Sequence, residues 1–504
     1  MRRRPLLVLG ALGLVAAGLV LRFATRSDLW FDEALSVNIA KLPLGDIVDQ
    51  LRHDGHPPLY YFLLHFWIEA FGDGDVAVRA LSGVLSVATL PLVWFAGRRI
   101  AGRAGAWSAL LIVGLSPYAF RYATEARMYA LVMLFVAAGY LALRNALETP
   151  TFGWLAFVAG ITAGLVLTQY WDLYLVAIVG AGLLYRACRA PEASDRQAAR
   201  RVFAAVAIGA LAFAAWLPVF LDQIGSTGTP WGDPQFPWVV VPRALIAFAG
   251  SEYDGEAYML AFLLLLLPLL ALFGRAIDRR RIELDLRTRP AVRWEAATAF
   301  GVLVVGAAIS YVTDTTFAPR YAATIFPVVA LVVALGIMVF SDLRLRTAVL
   351  ALIALLGLAG GARNVTYERT QAGRAAEVIA EESAPGDVVA YCSDQLGPDV
   401  SRLIRDVEGL EQITFPDAAR PDFVNWSEYL ERARAADPAA FAQDAITRAG
   451  DHTVWFVWSP GLNHLEVPCA KIGETLDAAR STEIRVFPDA DVLEVRALTE
   501  YRAE

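Results

Sequence analysis

Apolar residues in this chain gather in runs longer than the core of a soluble domain requires. Windows of about 20 mainly apolar residues, the length that crosses a bilayer, recur near 5–24, 79–97, 104–119, 126–146, 153–170, 172–187, 202–221, 256–274, 295–312, 320–340 and 347–362. The pattern predicts a mainly α-helical polytopic membrane protein with about eleven transmembrane helices. Buried or re-entrant pieces are expected in the 225–255 stretch. The first window follows Arg2 to Arg4 and carries no small-x-small cleavage site, so it reads as a retained span, with a cleaved signal peptide as the alternative.

From about residue 370 the periodicity changes. GDVVAYCS (386–393) and HTVWFVWSP (452–460) read as buried strands, and STEIRVFP and DVLEVRAL as closing strands. Amphipathic helices are predicted over 371–383, 397–407, 425–448 and 469–481. The division is a transmembrane module over 1–365 and an α/β domain over 366–504. Composition agrees with that split: 57% of the 504 residues are hydrophobic, only 19% are charged, and the mean hydropathy is +0.47. An ordinary soluble domain is excluded.

The net charge of -7 sums unlike parts. Arginines concentrate in alternate loops: Arg98, Arg99 and Arg103; Arg144; Arg186 to Arg201; Arg275 to Arg293; Arg344 and Arg346. Cytoplasmic loops keep Lys and Arg, so these face inside, and the loops holding DLWFDEALS, SPYAFRYATEARMY, TQYWD and TDTTFAPRY face outside with the C-terminal domain. No basic patch for nucleic acid is present, and the first strand-to-helix turn of the α/β domain lacks a nucleotide-binding glycine fingerprint. Three cysteines are too few for a disulfide scaffold or a zinc site. Cys392 and Cys469 lie in the outer domain and could bridge in an oxidising exterior. With strand order unknown, two separately buried thiols are the favoured reading. His452 and His464 read as ordinary structural histidines.

Three outer clusters carry candidate chemistry. Asp32 and Glu33 follow Trp30 and Phe31 at the membrane boundary, where a partly dehydrated carboxylate makes a competent base. By themselves the two acids read equally as a helix N-terminus. RYATEARMYAL places Glu125 and Arg127 at the outer end of a span, as a functional pair or as a mutual salt bridge. FAPRYAATIFP puts Arg320 at the start of another, to bind a lipid phosphate or to anchor the helix in headgroups.

The ordered set WFDEALS, HPPLYYFLLHFW, RALSGVLSVATLPLVWFAGRRIAG, SPYAFRYATEARMYAL and FAPRYAATIFP resembles the membrane glycosyltransferases of GT-C fold, in the branch of protein O-mannosyltransferases and aminoarabinose transferases (glycosyltransferase family 39-like). The resemblance covers about the first 340 residues. It implies transfer of a sugar, with inversion, from a polyprenyl-phosphate carrier to an extracytoplasmic hydroxyl of a glycan, lipid or protein. It also implies Asp32 as general base, Glu33 as a residue that shapes the site or binds acceptor, and Glu125 as the second-loop acid. Arg127 and Arg320 would lie at the donor phosphate. His56, Tyr60 and Tyr122 are the candidates for substrate contact, with a loop-capping role for His56 before Pro57 and Pro58 standing beside it. The reaction needs no cofactor; a divalent metal on Asp32, Glu125 and His56 stays an open alternative, because oxygen ligands give no diagnostic spacing. Arabinose, mannose, galactose and aminoarabinose all fit the motifs. A polytopic transporter or lipid flippase is the competing class, but the repeated halves common in transporters are not visible.

Overall fold

The computed structural model describes residues 3–227, 232, 234–250, 255–461 and 465–503. His464 and parts of the 225–255 stretch lie outside them. Among the described residues, five helices are long and apolar enough to cross a membrane: Asp75–Gly114, Tyr129–Glu148, Ala193–Ala215, Pro290–Val312 and Leu343–Thr366. Shorter apolar helices pack among them, including Phe152–Val166, Pro237–Ala247 and Phe326–Ile337. Leu59–Phe71 is a further apolar helix where the sequence reading placed only an outer loop.

The forty-residue segment Asp75–Gly114 is not straight. Ala101 and Gly102 leave helical geometry, and Gly102 takes φ +62°, a left-handed conformation that favours glycine. The chain doubles back there. Trp94 and Trp107 would lie about 20 Å apart along one straight helix, yet their ring centroids are 4.8 Å apart. A Cβ on Gly97 would come within 2.6 Å of the Gly105 carbonyl oxygen, so the two arms meet through bare backbone. This bend separates the windows read at 79–97 and 104–119.

Beyond Thr366 the chain forms a five-stranded sheet with helices. Two short strands, β1 (Gly274–Ala276) and β2 (Ile282–Leu284), precede it as a separate hairpin. The sheet contains β3 (Val388–Cys392), β4 (Glu411–Thr414), β5 (Val454–Trp458), β6 (Ser481–Val486) and β7 (Ala497–Arg502), in the order β4-β3-β5-β7-β6. β3 runs parallel to β4 and β5, with Val388 opposite Val454, while β7 is antiparallel to β5 and β6. Every residue of β3 is buried, which is why VVAYC reads as an unbroken apolar run.

Three details differ from the sequence reading. β4 has only four residues, three of them polar, and gave no strand signal. The helix expected over 425–448 is two helices, Tyr429–Ala435 and Pro438–Ala449, because Asp437 caps the second through Ala439 N (2.9 Å) and Pro438 opens it. DVLEVRAL becomes strand only from Ala497; Glu494 and Arg496 ahead of it join buried ion pairs instead.

Cys392 ends β3 and Cys469 sits in the helix Glu466–Asp477. They form a disulfide with Cα atoms 5.6 Å apart, which corrects the expectation of two separate thiols. Parallel pairing of β3 with β5 brings the helix after β5 beside the end of β3. The bridge closes a separation of 77 residues, so Cys392→Ala should destabilise this unit by up to about 4 kcal/mol. Mapping of unreduced peptides should recover Cys392 linked to Cys469 while exposed Cys188 alkylates; free thiol at both positions would refute the pairing.

Candidate active site

Asp32 stands in the first turn of the helix Phe31–Ala40. The Phe31 amide at that helix start donates to Glu494 Oε2 at 3.0 Å, so a carboxylate from the far end of the sequence satisfies one of its orphan donors. Asp32 itself is left free. Its Oδ2 lies 3.8 Å from Arg127 Nη2 and 3.7 Å from Arg320 Nη1, and accepts no hydrogen bond among the described residues. The carboxylate is thus flanked by two cations without being tied to either.

Arg127 is fixed by its other contacts. Nη1 donates to Ser36 Oγ at 2.7 Å, and Nη2 lies 3.1 Å from His56 Nε2. A guanidinium only donates, so that ring nitrogen must accept, and the proton sits on Nδ1, which donates to Asp54 Oδ2 at 3.0 Å. Tyr61 donates to the same oxygen at 2.8 Å. Burial opposes the charge on Asp54, but His56, Arg127 and Tyr61 outweigh it and hold the carboxyl below its ordinary range. Arg320 follows Pro319; both carbonyls accept from Tyr118 Oη at 3.1 Å.

These groups line a cavity of about 580 Å³. Trp171 and Tyr321, stacked with centroids 4.7 Å apart, make one wall. Gln169 also lines it, 2% exposed, with neither side-chain amide atom hydrogen-bonded among the described residues. Gln395, Trp426 and Glu494 reach it from the C-terminal unit. Burial raises the Glu494 carboxyl above its ordinary value, against the pull of Arg496.

Asp32, His56, Arg127 and Arg320 therefore share one cavity, and the other four predicted residues do not line it. Glu33 is fully buried and held by two bonds from Arg79, Nε to Oε1 at 2.7 Å and Nη2 to Oε2 at 2.5 Å, with Ala126 N donating to Oε1 at 2.8 Å. Burial pushes its carboxyl up, and Arg79 overrides this to hold it low. Of the two roles expected for Glu33, this geometry suits the one that shapes the site, since its carboxylate is spent on Arg79 and Ala126 and does not line the cavity. Glu125 accepts from Arg121 Nε at 3.0 Å, and burial raises its carboxyl. Tyr60 is wholly buried, and Tyr122 packs between Tyr118 and Tyr129 behind the cavity wall. The trio Asp32, Glu125 and His56 is not assembled, and no group of three His, Cys, Asp or Glu suited to a metal occurs among the described residues.

Sequence reasoning missed Asp54, Gln169, Trp171, Tyr321 and Glu494 as cavity residues. Asp54 lies two residues before HPPLYYFLLHFW, Tyr321 lies within FAPRYAATIFP, and Gln169 and Trp171 lie in TQYWD, read only as an outer loop. Glu494 carried no signal.

Such helices beneath an α/β unit, with an acid and two arginines in a cavity between them, have the fold of the GT-C membrane glycosyltransferases, and the chain is a multi-pass membrane protein. Residues 55–220 match the family model of dolichyl-phosphate-mannose-protein mannosyltransferases. Two structures of ArnT from Cupriavidus metallidurans are similar over nearly the whole chain. The one in the apo state has a TM-score of 0.59 at 13% identity, and the one bound to undecaprenyl phosphate 0.57 at 12%; each match covers 98% of this chain and 97% of ArnT. An oligosaccharyltransferase from Archaeoglobus fulgidus is more distant, with a TM-score of 0.46 at 12% identity over 88% of this chain and 67% of its own. No curated protein sequence matches the chain.

Removing one partner of the buried Glu33 pair should be severe. Arg79→Ala leaves a desolvated carboxylate without its main counter-charge, a cost of about 3–5 kcal/mol. Detergent-solubilised variant should lose its monodisperse peak in size-exclusion chromatography; unchanged thermal stability would disprove the clamp.

Proposed function

We propose that this protein is an inverting glycosyltransferase that moves a sugar from a polyprenyl-phosphate carrier to an acceptor hydroxyl at the outer face of the membrane. The observation that carries the reading is the unbonded Asp32 oxygen between Arg127 and Arg320. Asp32 takes the proton from the acceptor hydroxyl as its oxygen attacks the anomeric carbon. The bond from that carbon to the phosphate oxygen breaks, and the two guanidiniums stabilise the charge that gathers on the leaving phosphate. Arg127 does this from a preset position, since Ser36 and His56 fix it before substrate arrives. Trp171 and Tyr321 offer aromatic faces to a sugar ring, and bound donor and acceptor would displace water and so strengthen the charge interactions in the cavity. Undecaprenyl phosphate in the ArnT structure supports a carrier of that chemical class. The C-terminal unit reaches the cavity with Gln395, Trp426 and Glu494 and, in this reading, selects the acceptor.

Asp32→Asn should lower turnover by roughly 100-fold or more, as loss of a general base does, while donor binding is nearly retained. Membranes containing either form, incubated with a panel of radiolabelled polyprenyl-phosphate sugars, would report this as release of label from lipid. Near-normal release by the variant removes Asp32 from the mechanism.

The arginine-rich loops support a site on the outer face. A reporter fused after Glu504 that is active only beyond the cytoplasm should then work. Activity from a strictly cytoplasmic reporter at that point would invert the topology.

A further inference from the structure

A second chamber, of about 380 Å³, lies between the helices Tyr129–Glu148, Phe152–Val166, Asp172–Arg189 and Pro290–Val312. Three of these helices also reach the Asp32 cavity, through Tyr129, Tyr174 and Ile309. The chamber opens at their other ends. Arg144 follows Tyr129 by fifteen positions, which at 1.5 Å per residue separates the two sites by about 22 Å. Its walls are mainly apolar, with Leu165, Leu175, Ile178 and Val179 inside and Trp294, 47% exposed, at the rim.

The polar end is cationic. Arg144 and Arg186 line both this chamber and an adjoining pocket of about 500 Å³, to which Arg201 also contributes. Glu295 accepts from Tyr140 Oη at 2.9 Å and lies 3.6 Å from Arg144. Asp195 lies 3.2 Å from Arg186, and Glu148 pairs with Arg99. Four guanidiniums thus meet three carboxylates, and Arg201 has no hydrogen bond or ion pair with any described residue.

We propose that this chamber binds an anionic glycerophospholipid, one acyl chain between the helices and the phosphate against Arg144, Arg186 and Arg201, on the membrane face opposite the Asp32 cavity. An apolar space among bilayer-crossing helices is filled by hydrocarbon at no desolvation cost, and the free guanidinium donors suit a phosphate diester. Basic pockets between spans recognise anionic headgroups in the same way. A carrier lipid with its phosphate at Arg127 and Arg320 cannot also reach this mouth. The inference is independent of sugar transfer.

The test is lipid retention. Protein purified in mild detergent is denatured, extracted, and its lipids quantified by mass spectrometry, with near-stoichiometric anionic glycerophospholipid expected. Arg144→Gln with Arg201→Gln should reduce it about 25-fold, at roughly 5-fold for each arginine near a membrane surface. Val179→Trp, which fills the chamber, should abolish it; if that variant does not fold, the arginine exchange at these less buried positions still decides. Undiminished retention in the arginine variant, recovery of a polyprenyl phosphate instead, or no bound lipid would overturn the proposal.

Discussion

One hydrogen bond holds two segments of the cavity wall in register. Glu33 Oε1 accepts from the Ala126 amide, and the chain neighbours of those two residues are Asp32 and Arg127. Tying residue 33 to residue 126 therefore sets the base beside the cation one position away in each segment. Arg79 anchors the tie, since it also donates to the carbonyls of Ser27 and Asp28 ahead of the helix that bears Asp32. A carboxylate buried this deeply is tolerable because Arg79 and the Ala126 amide donate to it and Arg369 lies 3.8 Å away. The wall of the site is thus held by charges that take no part in the proposed reaction.

The same arrangement explains what the sequence made legible. Adjacent acids, arginines at span ends and aromatic flanks are local patterns, and they pointed to loops that the fold brings to one cavity. Asp32, Arg127, Arg320 and His56 were found in this way. Local pattern cannot say which of two adjacent carboxylates faces a cavity, because helical neighbours point about 100° apart. Glu33 accordingly turns away from the cavity while Asp32 faces it, and Glu125 pairs with Arg121, four residues before it. Gln169 and Glu494 were invisible because they enter the site through tertiary packing.

At the level of the fold, long apolar runs and the unbroken strand VVAYC announced themselves, whereas elements shaped by single residues did not. Gly102 turns one segment back on itself, and Asp437 with Pro438 splits one expected helix into two. Leu59–Phe71 escaped because thirteen residues are too few for a span, although its apolar faces pack on the core.

Glu494 has a further bearing on how the molecule comes into being. The acceptor for the Phe31 amide lies 463 residues downstream. At about 5–20 residues per second, that stretch takes about 25 to 90 seconds to synthesise. Throughout that interval the helix bearing Asp32 lacks its carboxylate partner, so the nascent chain sits in the membrane with an unfinished reaction centre. Synthesis of Glu494 is then a timer as well as a structural step: the cavity gains that side chain only after every helix of the membrane module has been made.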